Sequence, residues 1–166
     1  PASACLRIAM IWLSVNRDCF IARISLLWKF YFSSLRFYGG ITPQLDPAID
    51  FYCRALSLTL RRIIDDDVAE LTGASADIYL LRTEADSRPA KDLDDVRQYR
   101  RHWTPVHVDF VVDNIEQAAK RAIDAGALQE SDCIVWRGSR CISFSDPFGH
   151  GFCLIEFTGD GYSKDD

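Results

Sequence analysis

From residue 35 onward, short apolar runs alternate with turn-forming clusters, and the order of elements that this pattern predicts occurs twice. Leu35–Ile41 reads as a strand, with Gly39-Gly40 marking a bulge or a close backbone approach. Thr42 to Pro47 is a turn and helix entry, in which Asp46 suits the N-cap and Pro47 the first helical position. The helix 47–56 carries Ala48, Phe51, Tyr52 and Ala55 at helical spacing, a stripe suited to lie on a sheet. Three strands follow, 58–64, 68–72 and 77–82, separated by Asp65-Asp66-Asp67 and Gly73-Ala74-Ser75. After a charged stretch, Thr83 to Trp103, the sequence returns to a strand (106–112) and a helix (115–125). That helix has Ile115, Ala118, Ala119, Ala122 and Ile123 as its stripe, Asp113 or Asn114 as its cap and Gly126 as its stop. Segments 127–129, 133–136, 141–144 and 152–157 supply further strands.

Strand, helix and a run of strands therefore appear as a repeat, and each copy alone leaves one sheet face uncovered. The expected fold is α+β, two βαβββ modules packed together. The connector combines Pro89 with the basic cluster Arg97, Arg100 and Arg101, and is expected to hold a short exposed helix. Residues 1–34 are expected to be a lead-in, either an amphipathic helix or loosely ordered. Ile21, Ile24, Leu27 and Tyr31 share one helical face there. Arg17, Asp18, Arg23 and Lys29 interrupt its apolar residues, so no run approaches the roughly 20 residues of a membrane span, nor the core of a signal peptide.

Composition narrows the partners. Hydrophobic residues make up 48% and charged residues 26%, and the net charge of −5 argues against nucleic acid and anionic membrane. There is no glycine-rich phosphate loop. The six cysteines form no C-x-x-C pair, which favours reduced thiols and a cytoplasmic setting.

Three stretches carry a family resemblance: Leu45 to Tyr52, His107 to Ile115 (HVDFVVDNI) and Asp146 to Phe157 (DPFGHGFCLIEF). The chain from about Leu35 to Gly159 resembles the vicinal oxygen chelate superfamily, which includes glyoxalase I, bleomycin-resistance proteins and extradiol dioxygenases. The resemblance implies modules at 35–83 and 105–159, a connector at 84–104 and a tail at 160–166. It further implies curved sheets forming a cup with helices outside, and a homodimer. It also implies a divalent metal, held by the first and last strands of each module, that chelates neighbouring substrate oxygens as a Lewis acid.

Carried over residue by residue, that ligand set is thin. His107 stands at the first-strand position of the second module, but Phe37 stands at the matching position of the first. The last-strand position of the second module is Cys153, where metal-dependent relatives have Glu. Glu156 lies three residues on and points to the opposite face, and Ile78 to Arg82 offers no ligand. Two mixed ligands are too few for a divalent site. The expectation is thus a small-molecule-binding protein resembling the bleomycin-resistance type, without a cofactor. The alternatives are a divalent-metal-dependent lyase, isomerase or dioxygenase with His107 and Glu156 on the metal, and an interaction module with a vestigial cup.

Strand alternation turns Val106, Val108, Phe110 and Val112 to the helices and His107, Asp109 and Val111 to the cup. His107, Asp109, Cys153, Trp136 and Tyr79 are the candidate ligand contacts, with Phe144 as a further aromatic of the wall. No catalytic residue stands out. His150 reads as an exposed turn residue, Trp103 as packing on a rim, and Arg100 and Arg101 as a solvated face.

Overall fold

The structure, a computed structural model, describes residues 7–9, 37–102 and 108–158. In chain order the elements are β1 (Arg7–Ala9), β2 (Phe37–Thr42), α1 (Leu45–Leu56), β3 (Thr59–Ile64), β4 (Val68–Thr72) and β5 (Ile78–Arg82). They continue with β6 (Val108–Val111), α2 (Ile115–Ala125), β7 (Leu128–Gln129), β8 (Ile134–Trp136), β9 (Ser139–Ser145) and β10 (Gly151–Phe157). One sheet has the order β2-β5-β4-β3; the other runs β1-β6-β10-β9, with β7 and β8 both paired to β9. In each module the first strand lies parallel to the last, β2 on β5 and β6 on β10, and the other pairings are antiparallel. The expected α+β fold of two βαβββ modules is what the chain adopts, with like topology before and after the connector.

Local chemistry explains most boundaries. Asp65 and Asp66 both take positive φ (49° and 59°), the conformation of a two-residue hairpin turn, which short polar side chains tolerate. α2 begins as expected: Asn114 accepts a hydrogen bond from the Gln117 amide at 2.8 Å, and Gly126 ends the helix at φ 111°. α1 differs. It starts at Leu45, its cap position is Gln44 rather than Asp46, and no side chain caps it there. Asp46 and Pro47 fall inside the first turn, where an acid complements the dipole and a missing N–H costs nothing. Thr42 Oγ1 turns the chain by accepting from the Gln44 amide at 3.2 Å.

Two further expectations are corrected. Among the described residues the connector holds no helix. It folds back irregularly: the Asp86 amide donates to Arg97 O (3.0 Å), the Arg97 amide to Ser87 O (2.9 Å) and the Tyr99 hydroxyl to Thr83 O (2.6 Å). Leu93 and Val96 remain exposed, so a helix there would have no apolar stripe to bury. Arg7–Ala9 is not helical or loose but pairs antiparallel with β6 as an edge strand. The possible helical face Ile21 to Tyr31 lies outside the described residues.

Each sheet has one helix-packed face. Ala69, Leu71, Ile78 and Leu80 lie under α1, and Phe110, Ile142, Phe144, Phe152 and Leu154 under α2, all in one continuous core with both helix stripes. Phe144, expected on the wall of the cup, is fully buried in this core and stacks on Phe152 with centroids 5.6 Å apart. Even spacing puts it on the same face as Ile142, so alternation sends both inward. Ile123, assigned to the α2 stripe, is 48% exposed, because Ala118, Ala119 and Ala122 fill the contact. α1 also packs on α2, and Phe51 meets Phe148 edge-on at 6.1 Å, which ties the modules together.

Candidate functional site

The helix-free face of the second sheet collects polar side chains. Register places Cys153 beside Asp109 on β6 and beside Ser143 on β9, so the three form one row across three strands. Asp109 and Cys153 are each 3% exposed. Ser143 Oγ lies 3.1 Å from Cys153 Sγ. The next row brings Cys141, diagonal to Cys153 on the same face. The neighbouring Cys153, burial and the charge of Asp109 push the Cys141 pKa up. Ile155, opposite Cys141, and Ser145, opposite Gly151, are also buried.

A cation from the connector closes one end of this face. Arg101 donates to Glu130 through Nε (2.6 Å) and Nη2 (2.9 Å), a bidentate pair that holds the Glu130 carboxyl below its ordinary pKa. The guanidinium lies over Gly151 so closely that a Cβ there would meet Nη2 at 2.7 Å. The backbone of Arg100 covers Gly149 in the same way. Arg101 thus departs from the solvated face that charge patterning suggests, whereas Arg100 is exposed as expected and only its backbone packs on the turn. Gly149 and Gly151 leave room for the connector, and only tertiary contact reveals that use.

The remaining candidates are distributed as follows. His107 and Trp103 lie outside the described residues. Tyr79 is buried on the helix-free face of the first sheet, opposite Glu70, and not beside Asp109 and Cys153. Trp136 shares the face parity of Cys141 but stands on the sheet edge, 57% exposed, with the Arg137 guanidinium 5.3 Å from its ring centroid. Glu156 faces the helix side, where Oε2 accepts from the Ile115 amide at 2.6 Å and Oε1 lies 3.6 Å from Arg140. Its carboxylate thus serves the start of α2.

His150 is not a plain exposed turn residue. Its Nδ1 lies 2.8 Å from Asp146 Oδ2, and its side chain is 34% exposed. Asp146, wholly buried, also accepts from the Phe148 amide (2.9 Å), the His150 amide (2.8 Å) and the Tyr52 hydroxyl (2.7 Å). Burial, then the charge of Asp146 and this bond, raise the Tyr52 pKa well above its ordinary value. The D-P-F-G-H turn is therefore a structural lock between β10 and α1.

A divalent chelate finds no matching donor set here. Among the described residues no three His, Cys, Asp or Glu side chains converge in a way that could hold a metal ion. The described residues do not bring together a donor set that fits a Lewis-acid metal.

One feature has no counterpart in the sequence reading. Glu70, 1% exposed on β4, accepts from Arg61 Nη1 at 3.0 Å and from Arg62 Nε. The signal was a lone acid among apolar residues in Val68-Ala69-Glu70-Leu71-Thr72, with Arg62 opposite it in register. Burial alone would raise its carboxyl, but the hydrogen bond and charge of Arg62, joined by Tyr79 and Arg61, hold it below the ordinary value. A depressed folded pKa stabilises fully above the unfolded value of about 4.3 and is lost as pH falls through the lower folded value. Both arginines are more than half exposed, so screening keeps the effect modest. Glu70→Gln is expected to flatten the loss of stability below about pH 4, read by urea unfolding across acid pH; an unchanged slope counts against the assignment.

Comparison with known proteins gives the context of this geometry. A family profile described as a glyoxalase-like domain matches residues 40–155. A glyoxalase/bleomycin resistance protein/dioxygenase from Nocardioides is similar in structure at 19% identity and a TM-score of 0.55, covering 84% of this chain and 99% of its own. A fosfomycin resistance protein from Listeria monocytogenes gives 18% identity, a TM-score of 0.56 and coverage of 76% and 91%. A lactoylglutathione lyase from Agrobacterium tumefaciens gives 17%, 0.52, 74% and 93%. At such identities the likeness is one of fold. No curated protein matches the chain in sequence. With a profile that matches most of the chain, the protein belongs to the glyoxalase-like domain family of the vicinal oxygen chelate superfamily.

Proposed function

We propose that the protein binds a small organic molecule on the helix-free face of its second sheet, in the manner of bleomycin-resistance proteins and without a complete metal site. The observation that carries this reading is the polar row of buried Asp109 and Cys153 with half-buried Ser143, ended by the Arg101–Glu130 pair. Such a row offers fixed hydrogen-bonding groups beside apolar Ile155, the mixture that orients a small ligand. The sequence alone assigns His107, two residues before Asp109, to the same set, and His107 lies outside the described residues. The homodimer and the cytoplasmic setting belong to the same proposal. Among the described residues no helix is long and apolar enough to cross a membrane.

The test is thermal denaturation with bleomycin, fosfomycin and S-lactoylglutathione as probes, with elemental analysis of the freshly purified protein. Saturable stabilisation by one probe, lost in His107→Ala and Asp109→Ala, is the expected result. Stoichiometric metal that disappears in His107→Ala would replace this reading with a metal-dependent lyase, isomerase or dioxygenase. No stabilisation by any probe, in wild type or variants, would favour an interaction module instead.

A further inference from the structure

The edge strand of the first sheet holds two arginines on one buried acid, more than that acid requires. Strand alternation sends consecutive residues to opposite faces. β3 breaks the rule at Arg61: the β3–β4 register shifts between Leu60 and Arg62, which leaves Arg61 as an extra residue against β4. Both neighbours thereby reach the same carboxylate. Arg61 Nη1 donates to Glu70 Oε1 at 3.0 Å, and Arg62 Nε donates to Glu70 Oε2. Glu70 is 1% exposed, so the anchor is buried and holds two guanidiniums side by side.

One guanidinium fork can satisfy both oxygens of a carboxylate. Here each arginine gives Glu70 a single N–H, so donors are left over on both. The two side chains are 59% and 54% exposed, which brings those donors to the surface. Charge is left over as well. Glu70 offsets one guanidinium, and the next acid, Asp77, stays 3.7 Å from Arg61 Nη1, beyond hydrogen-bond length. The chain as a whole carries −5, so this local excess is not part of a general basic surface. An anion that joins two like charges held this close relieves their repulsion. A carboxylate has two oxygens and one fork fills them, whereas a phosphate group offers three oxygens and up to two charges, enough for both forks.

We propose that Arg61 and Arg62 form a site for a phosphate group, either free phosphate or the phosphate ester of a small organic molecule. Glu70 holds both guanidiniums in place before the anion arrives, so little side-chain freedom is lost on binding. The site lies on the first sheet and does not depend on the ligand reading of the second.

The probes are inorganic phosphate and phenyl phosphate, titrated calorimetrically into the full chain at low salt, with acetate at matched ionic strength as the singly charged control. Saturable binding of a phosphate probe is the expected result, with acetate weaker by about 10-fold or more. A preference for phenyl phosphate assigns the group to an organic ligand and a preference for inorganic phosphate to the free ion; either order supports the site. Arg61→Gln and Arg62→Gln each leave Glu70 one guanidinium. Each is expected to weaken binding by about 10-fold or more, the worth of a charge-assisted hydrogen bond. Asp77→Asn removes the competing carboxylate and is expected to tighten binding by about two- to fivefold. Binding untouched by either arginine substitution, no tightening in Asp77→Asn, acetate equal to phosphate, or no phosphate binding by wild type overturns the proposal. Should an arginine variant misfold, wild type is modified by phenylglyoxal with and without phosphate: joint protection of Arg61 and Arg62 supports the site, and protection of neither overturns it.

Discussion

Asp146→Ala is expected to lower the unfolding free energy by about 4 kcal/mol, a large share of the stability of a domain this size. The wild-type carboxylate is wholly buried and receives the Tyr52 hydroxyl, two backbone amides and His150 Nδ1. Alanine leaves those donors without this acceptor, and each donor orphaned in a buried position costs about 1–3 kcal/mol before relaxation. The loss is also topological. Tyr52 belongs to α1 in the first module and Asp146 to the turn before β10 in the second, so one bond joins modules whose residues are far apart in sequence. Tyr52→Phe removes that bond alone and is expected to cost about 1 kcal/mol. Urea unfolding of both variants checks the pair. An Asp146→Ala loss no greater than that of Tyr52→Phe would mean that the turn's own amides contribute nothing.

Gly149→Ala is expected to cost about 2–3 kcal/mol and to dislodge the connector. Two effects add. The residue sits at φ 94°, where an L side chain is strained, and its new Cβ would lie 2.7 Å from Arg100 C and O and 2.9 Å from Arg100 N. Those are backbone atoms, so the connector itself must shift rather than a flexible side chain. Arg101 is the next residue, and its bidentate hold on Glu130 is expected to weaken with the shift. Gly126→Ala separates the two effects. Its φ is 111°, but the nearest atom to an added Cβ is Pro147 Cγ at 3.7 Å, an ordinary contact. Backbone strain alone is expected there, about 1 kcal/mol. Equal losses in the two variants, measured by the same denaturation, would remove the clash from the explanation.

The sequence by itself determined the elements whose signals are local. β4 and α2 keep their predicted bounds because alternation, a helical stripe, Asn114 and Gly126 all act within a few residues. The duplication of strand, helix and strands was legible for the same reason, and it carried the α+β fold with it. Local alternation also separated Asp109 from Phe110, which is why Asp109 and Cys153 were expected on one face and lie side by side. Local signals misled where a tertiary contact outweighed them. The connector has charge enough for an exposed helix but no stripe to bury, and Arg101 lies over β10's first residue and pairs with Glu130 instead of facing solvent. His150 looks like a turn residue until Asp146 is seen to hold it. Glu70 looks like a misplaced acid until β3 brings Arg62 opposite and Arg61 within reach. Only the tertiary structure decides such pairings, because which strands become neighbours, and in what register, depends on how the whole core closes rather than on any short run of residues.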